Sequence, residues 1–111
     1  MCIRDRNTTG EHNTALGHKA LQDNRTGNSN VAIGRTSLDA NTTGANSTAL
    51  GTDALSSNTT GSNNTASGYQ AGFSNLTGSN NVFIGHQAGY NETGSNKLYI
   101  SNVEPFGILI S

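Results

Sequence analysis

The chain has 111 residues, enough for one compact domain or one run of stacked units. Its formal net charge is −1 and only 12% of residues are charged, so nothing in the balance points to nucleic acid or an anionic membrane. Hydrophobic residues make up 32%, too few for a deep core, yet the low net charge and single Pro differ from the usual make-up of disordered segments. A flexible low-complexity tract is the alternative reading.

In chain order, Met1 to Arg6 come first and fit no repeat column. They resemble a translated sequencing adapter and are set aside as non-native, as any processing scar would be. Cys2, the only cysteine, goes with them, so cysteine usage says nothing about redox compartment. The true N-terminus is expected upstream. No run of about 20 apolar residues is present to span a membrane.

From Asn7 onward the motif Asn-x-Thr-Gly returns at Asn7, Asn24, Asn41, Asn58, Asn75 and Asn91. The first intervals are 17 residues and the last is 16. A short fixed period means a repeat architecture, and units this short bury a core only by stacking on neighbours. Within each unit, the columns Asn30-Val31-Ala32-Ile33 and their equivalents predict a strand. Alternation puts Val31 and Ile33 on one face and Ala32 on the other. The larger apolar set, Leu16, Val31, Ile33, Leu50, Val82, Ile84, Leu98 and Ile100, is assigned to the interior with Thr14 and Thr48. Ala15, Ala32, Ala49 and Ala66 then point outward, where small side chains allow close packing of another subunit.

Gly17, Gly34, Gly51, Gly68 and Gly85 follow these strands at one column, predicting a positive φ or a very close backbone approach. A second short strand is predicted over Ala20-Leu21, Ser37-Leu38 and Ala54-Leu55. The Asn-x-Thr-Gly turn closes each coil. In the later units this Leu column becomes Gly72 and Gly89, followed by Phe73 and Tyr90. The expectation is that the large residue has moved one position along, with an altered corner. A helical reading fails because Gly, Asn, Thr and Ser are too frequent in every unit. The fold expected is all-β: a parallel β-solenoid of about six 16–17-residue coils over 7–100, with an exit segment at 101–111. Stacked coils at ~4.8 Å spacing place the recurring Asn side chains for a hydrogen-bonded amide ladder.

The pentapeptide Asn30-Val31-Ala32-Ile33-Gly34 resembles the head repeat of YadA-like trimeric autotransporter adhesins. Asn13 to Gly17, Ser47 to Gly51 and Asn81 to Gly85 are variants of it, and the resemblance covers nearly all of 7–100. It implies a left-handed parallel β-roll, three chains side by side, and surface attachment. The units are longer than the usual adhesin repeat. In this they resemble repeats of bacterial surface and phage tail-fibre proteins that carry a C-terminal intramolecular chaperone. Gly94 to Asn102 resembles the exit segment of those heads. The implied partners are two further copies of the chain and a host surface, matrix protein or glycan, without nucleic acid or membrane contact by this segment. The implied location is the bacterial cell surface or a phage virion.

Candidate sites are few. Six Asn-x-Thr sequons in phase are explained by turn chemistry rather than glycosylation. His18 and His86 share a column but lie four units apart, and His12 is in another, so all three are read as solvent-facing. Asp23, Asp39 and Asp53 lack calcium-loop spacing. No cofactor, metal site or catalytic set is expected, and the chain is read as no enzyme. The competing function is an ice-binding solenoid, suggested by the complete column Thr9, Thr26, Thr43, Thr60, Thr77 and Thr93.

Overall fold

The computed structural model describes residues 10–100 and, as backbone, a further strand at Ile108–Ile110. Residues 1–9 and the rest of 101–111 lie outside the described residues, and with them the adapter-like segment, Asn7 and most of the exit segment. The protein is an all-β solenoid. The strands are β1 (Thr14–Leu16), β2 (Val31–Ile33), β3 (Thr48–Leu50), β4 (Thr65–Ser67), β5 (Val82–Ile84), β6 (Leu98–Ile100) and β7 (Ile108–Ile110). They form one sheet in sequence order. β1 to β6 pair in parallel with every column over itself: Ala15 on Ala32 on Ala49, and Leu16 on Ile33 on Leu50. β7 turns back and pairs antiparallel with β6.

Each coil has one strand, not two. The predicted second strand is a run of overlapping turns. In the first coil, Ala20 N–H donates to Gly17 C=O, Gln22 to Lys19 and Asn24 to Leu21. Lys19 and Leu21 take φ of 64° and 54°, the left-handed conformation a type II turn needs at its third residue. Thr36 and Leu38, and Asp53 and Leu55, repeat this geometry. A period-two side-chain pattern therefore has a second cause here, because turns chained every two residues also alternate in and out. Coils still stack through this wall, as Leu21 N–H donates to Ser37 C=O and Leu38 to Ala54.

The inside and outside of the strands are the reverse of the sequence expectation. Ala32, Ala49, Ala66 and Phe83 are fully buried. Leu16, Ile33, Leu50, Ile84 and Ile100 are 37–50% exposed, and Val31, Val82 and Leu98 are half-buried. The interior is too narrow for large side chains from both walls. Leu21, Leu38 and Leu55 fill it from the turn wall, so the strand wall can contribute only alanine there. Burial follows available volume, not hydrophobicity alone.

The later coils invert this division. Phe83 enters from the strand wall, and the turn wall recedes to Gly72 and Gly89. A Cβ at Gly89 would sit 2.2 Å from the Phe83 ring, and one at Gly72 would sit 2.6 Å from it. The large residue thus crosses to the opposite wall instead of moving one position along the turn wall. Phe73 and Tyr90 do not take over the core. They are half-buried and stack on each other, ring centroids 4.9 Å apart. Tyr99 packs behind Phe83 at 5.9 Å.

Phe83→Ala is expected to destabilise the chain by about 3–5 kcal/mol in urea titration. Gly89→Leu alone is also expected to destabilise it, by overpacking against the ring. Gly89 has φ +62°, close to the 51° of Leu55, so leucine fits the backbone as it does in the first three coils. Combined, the two changes rebuild an Ala/Leu coil, and the double variant is expected to be more stable than Phe83→Ala. A double variant no more stable than the additive sum would refute the volume exchange.

Candidate interaction surface

The buried polar groups come first, because they hold the coils in the register that any surface depends on. Asn24, Asn41, Asn58 and Asn75 are fully buried at the closing turn. Asn41 Nδ2 donates to Asn24 Oδ1 at 2.8 Å and Asn58 Nδ2 to Asn41 Oδ1 at 3.1 Å, which is the expected amide ladder. Each of these side chains also caps its own turn: Asn24 Nδ2 donates to Gly27 C=O, Asn41 to Gly44 and Asn58 to Gly61. Nothing but glycine fits beside them. A Cβ at Gly44 would lie 2.3 Å from the Gly61 carbonyl oxygen and 2.5 Å from Asn41 Oδ1.

Among the described residues the asparagine-to-asparagine ladder runs from Asn24 to Asn58, and stops one coil before the period drops to 16. Asn91 is exposed and does not join it. Asn75 Nδ2 donates instead to the backbone carbonyls of Glu92 and Gly94, and its buried Oδ1 has no hydrogen-bond partner among the described residues. The missing residue displaces the last Asn out of the column.

A second polar column runs beside the strands and was not singled out from sequence. Asn30 N–H donates to Asn13 Oδ1, Ser47 N–H to Asn30 Oδ1, Asn64 N–H to Ser47 Oγ and Asn81 N–H to Asn64 Oδ1. Their amides reach across to the turn glycines, as Asn30 Nδ2 does to Gly44 C=O at 2.8 Å. The signal available was the repeated Asn or Ser before each strand, hidden by the abundance of both types.

The glycine corner confirms both alternatives stated for it. Gly17, Gly34, Gly51, Gly68 and Gly85 have φ between 119° and 133°. A Cβ at Gly34 would also lie 2.6 Å from the Gly51 oxygen. This corner lets the chain leave the sheet without separating the coils.

Three outward features remain. The outer face of β1 to β6 carries Leu16, Ile33, Leu50, Ile84 and Ile100 in one register column, interrupted only by Ser67. Thr26, Thr43, Thr60, Thr77 and Thr93 form an exposed column at the turn. Past the glycine corner, Tyr69 stacks on His86 with ring centroids 5.3 Å apart. His12, His18 and His86 are all exposed, as expected.

The charged groups are dispersed. Burial, reinforced by the neighbouring Asp23 carboxylate, raises the Asp39 carboxyl above its ordinary range. Asp53 accepts from the Thr36 hydroxyl and, at 3.5 Å, from Gln70 Nε2. Among the described residues, no three His, Cys, Asp or Glu gather into a group able to hold a metal ion. Near the last coil, the Tyr99 hydroxyl donates to Glu92 Oε1 at 2.6 Å and, with the Gly94 N–H, holds that carboxyl below its ordinary range. Comparison with family models, curated proteins and solved structures gives no match.

Asn41→Ala removes the ladder donor to the buried Asn24 Oδ1 and one of the two side-chain donors to the Gly44 carbonyl, which keeps Asn30 Nδ2, and is expected to cost about 1–3 kcal/mol for the acceptor left unsatisfied. Asn91→Ala, outside the ladder, is expected to change stability by less than about 0.5 kcal/mol. Equal effects in urea titration would contradict the ladder's role. Glu92 has a depressed folded pKa, so its contribution is present above the ordinary carboxylate range and fades as pH falls through the folded value. Tyr99→Phe is expected to move the Glu92 titration upward by NMR, and an unmoved titration would count against the hydrogen bond.

Proposed function

We propose that this solenoid is a structural and adhesive segment of an elongated homotrimeric fibre, a bacterial surface adhesin or a phage tail fibre. It acts without catalysis or cofactor. The observation that carries the proposal is the outer sheet face. A chain with only 32% hydrophobic residues leaves five large aliphatic side chains 37–50% exposed in a single straight column. Clustered exposed apolar surface of this kind, broken only at Ser67, marks an interaction site. The column repeats with the coil, so an identical column on another copy meets it residue for residue along the rod. Three copies with these faces inward cover the stripe and leave the polar turns outward. The resemblance of the pentapeptide repeats to trimeric adhesin heads supports three in preference to two.

In the proposed trimer the intersubunit contact falls on Leu16, Ile33, Leu50, Ile84 and Ile100, because the alanine column expected from sequence to carry it faces the core. Attachment then falls to the outward turns. Contacts repeated on three chains raise avidity without a deep binding cleft.

Light scattering of the full chain is expected to give three times its 11.5 kDa mass. Ile33→Lys and Ile84→Lys are expected to return it to a monomer with an unchanged β-type circular dichroism spectrum, because both side chains lie outside the solenoid core. A wild-type monomer would overturn the trimer. Retention of the trimer on no matrix-protein or glycan array would remove the adhesive part and leave a spacer.

A second reading, an ice-binding solenoid, draws on the exposed Thr26, Thr43, Thr60, Thr77 and Thr93 column and on the outer strand face where Thr14, Thr48 and Thr65 sit beside aliphatic neighbours. A folded monomer with thermal hysteresis would favour it.

A further inference from the structure

Tyr69 is 45% exposed although one face of its ring is covered by His86, with planes 16° apart. Two stacked rings cover each other on one face only, so the free face of Tyr69 looks along the solenoid toward the third coil. In that direction the same column holds Thr52 and then Arg35. With coils spaced ~4.8 Å apart, the backbones at Arg35 and Tyr69 lie roughly 10 Å apart, with Thr52 between them. Van der Waals contact on each side takes about 3.5–4 Å, so side chains extended from these two positions would leave a gap over the shorter Thr52 that admits one six-membered ring.

The adjoining column supplies a polar edge to this gap. Gln87 Nε2 donates to Gln70 Oε1 at 2.8 Å, Gln70 Nε2 donates to Asp53 Oδ2 at 3.5 Å, and the Thr36 hydroxyl donates to Asp53. These bonds align an amide and a carboxylate in the column next to that of Tyr69. Aromatic surface with aligned hydrogen-bonding groups at its rim suits a pyranose, whose axial C–H face is apolar and whose hydroxyls project around it. Arg35 and Asp53 contribute one charge of each sign, which favours a neutral sugar over an acidic one. The Phe73–Tyr90 stack is the weaker candidate because both rings are half-buried in the wall.

We infer that the gap over Thr52, between Arg35 and Tyr69, is a subsite for one neutral pyranose residue of a surface glycan. The inference rests on the attachment reading and assigns it a place. The single contact is weak, and repetition of the subsite on three chains makes it effective.

Saturation-transfer-difference NMR on the full chain tests this, with lactose, N-acetylchitotriose and maltotriose as probes and sialyllactose as the acidic comparator. At least one neutral saccharide is expected to receive saturation at its ring protons. Tyr69→Ala and Thr52→Leu are each expected to weaken that binding about tenfold, the scale of one lost aromatic contact, and Tyr69→Phe to retain it. Leu76→Ala, exposed elsewhere, serves as the control and is expected to bind as the parent does. Absence of signal from every neutral saccharide would overturn the subsite, as would preference for sialyllactose or unchanged binding by Tyr69→Ala. Retention on matrix-protein arrays together with any of these results would preserve attachment and reject the subsite alone.

Discussion

The structure depends on one constraint: each coil must place every column directly over the same column of its neighbour. In-register stacking turns a single local choice into a ladder, and ladders replace the large core this chain lacks. The Asn24–Asn41–Asn58 column shows the mechanism. Its amides satisfy both the coil's own turn and the next coil, so a buried polar group, costly when unpaired, becomes the element that fixes spacing. The turn glycines follow from this, since any Cβ at Gly44 would force the coils apart at the ladder. A rigid period is thereby imposed on the outside as well, where the exposed aliphatic column keeps one register from β1 to β6.

Period and strand position were legible in the sequence because both are set by spacing. The direction each strand faces was not. Alternation at Val31-Ala32-Ile33 defines two faces and leaves open which is inside, and assigning the larger residues inward applied a rule suited to wide cores. Here Leu38 and Leu55 on the turn wall already occupy the width available, so Ala32 and Ala49 are the residues that fit opposite them. That competition is between segments distant in sequence and is invisible in any window of one strand. The exchange of Leu55-type coils for the Phe83 coil follows the same accounting of volume. Sequence signalled it through Gly72 and Gly89, but placed the compensating ring on Phe73 and Tyr90, the neighbours in sequence, and not on Phe83, the neighbour in space.

The candidate surface was legible in proportion to how strictly its residues repeat. The asparagine and corner-glycine columns were readable as structural positions, and Asn91 departs from them at the one interval that departs from the period. The Asn30–Ser47–Asn64 column alternates residue types that do the same job, so identity hid a function that chemistry shares. Tyr69 occurs once in a column that otherwise holds His18, Arg35, Thr52 and His86. A non-repeating residue on a repeating frame carries no periodic signal, and its neighbours become known only when the coils are stacked.

The distinction bears on how such a rod divides its work. Columns that repeat serve contacts that also repeat: coil on coil through the asparagines and, in the proposed trimer, copy on copy through the outer aliphatic face, which is broken only at Ser67. A repeating column cannot define a unique place along the rod, because each coil presents the same chemistry as the last. Specific recognition needs a local break in repetition, supported by columns that stay regular around it. The coils that carry Phe83, Tyr69 and His86 are such a break. The interior exchange at Gly72 and Gly89 keeps the strand register intact there, with Ala66 over Phe83 and Ser67 over Ile84, so the frame stays constant while the exterior residues change. Register is held by the inside, and identity is therefore free to vary on the outside.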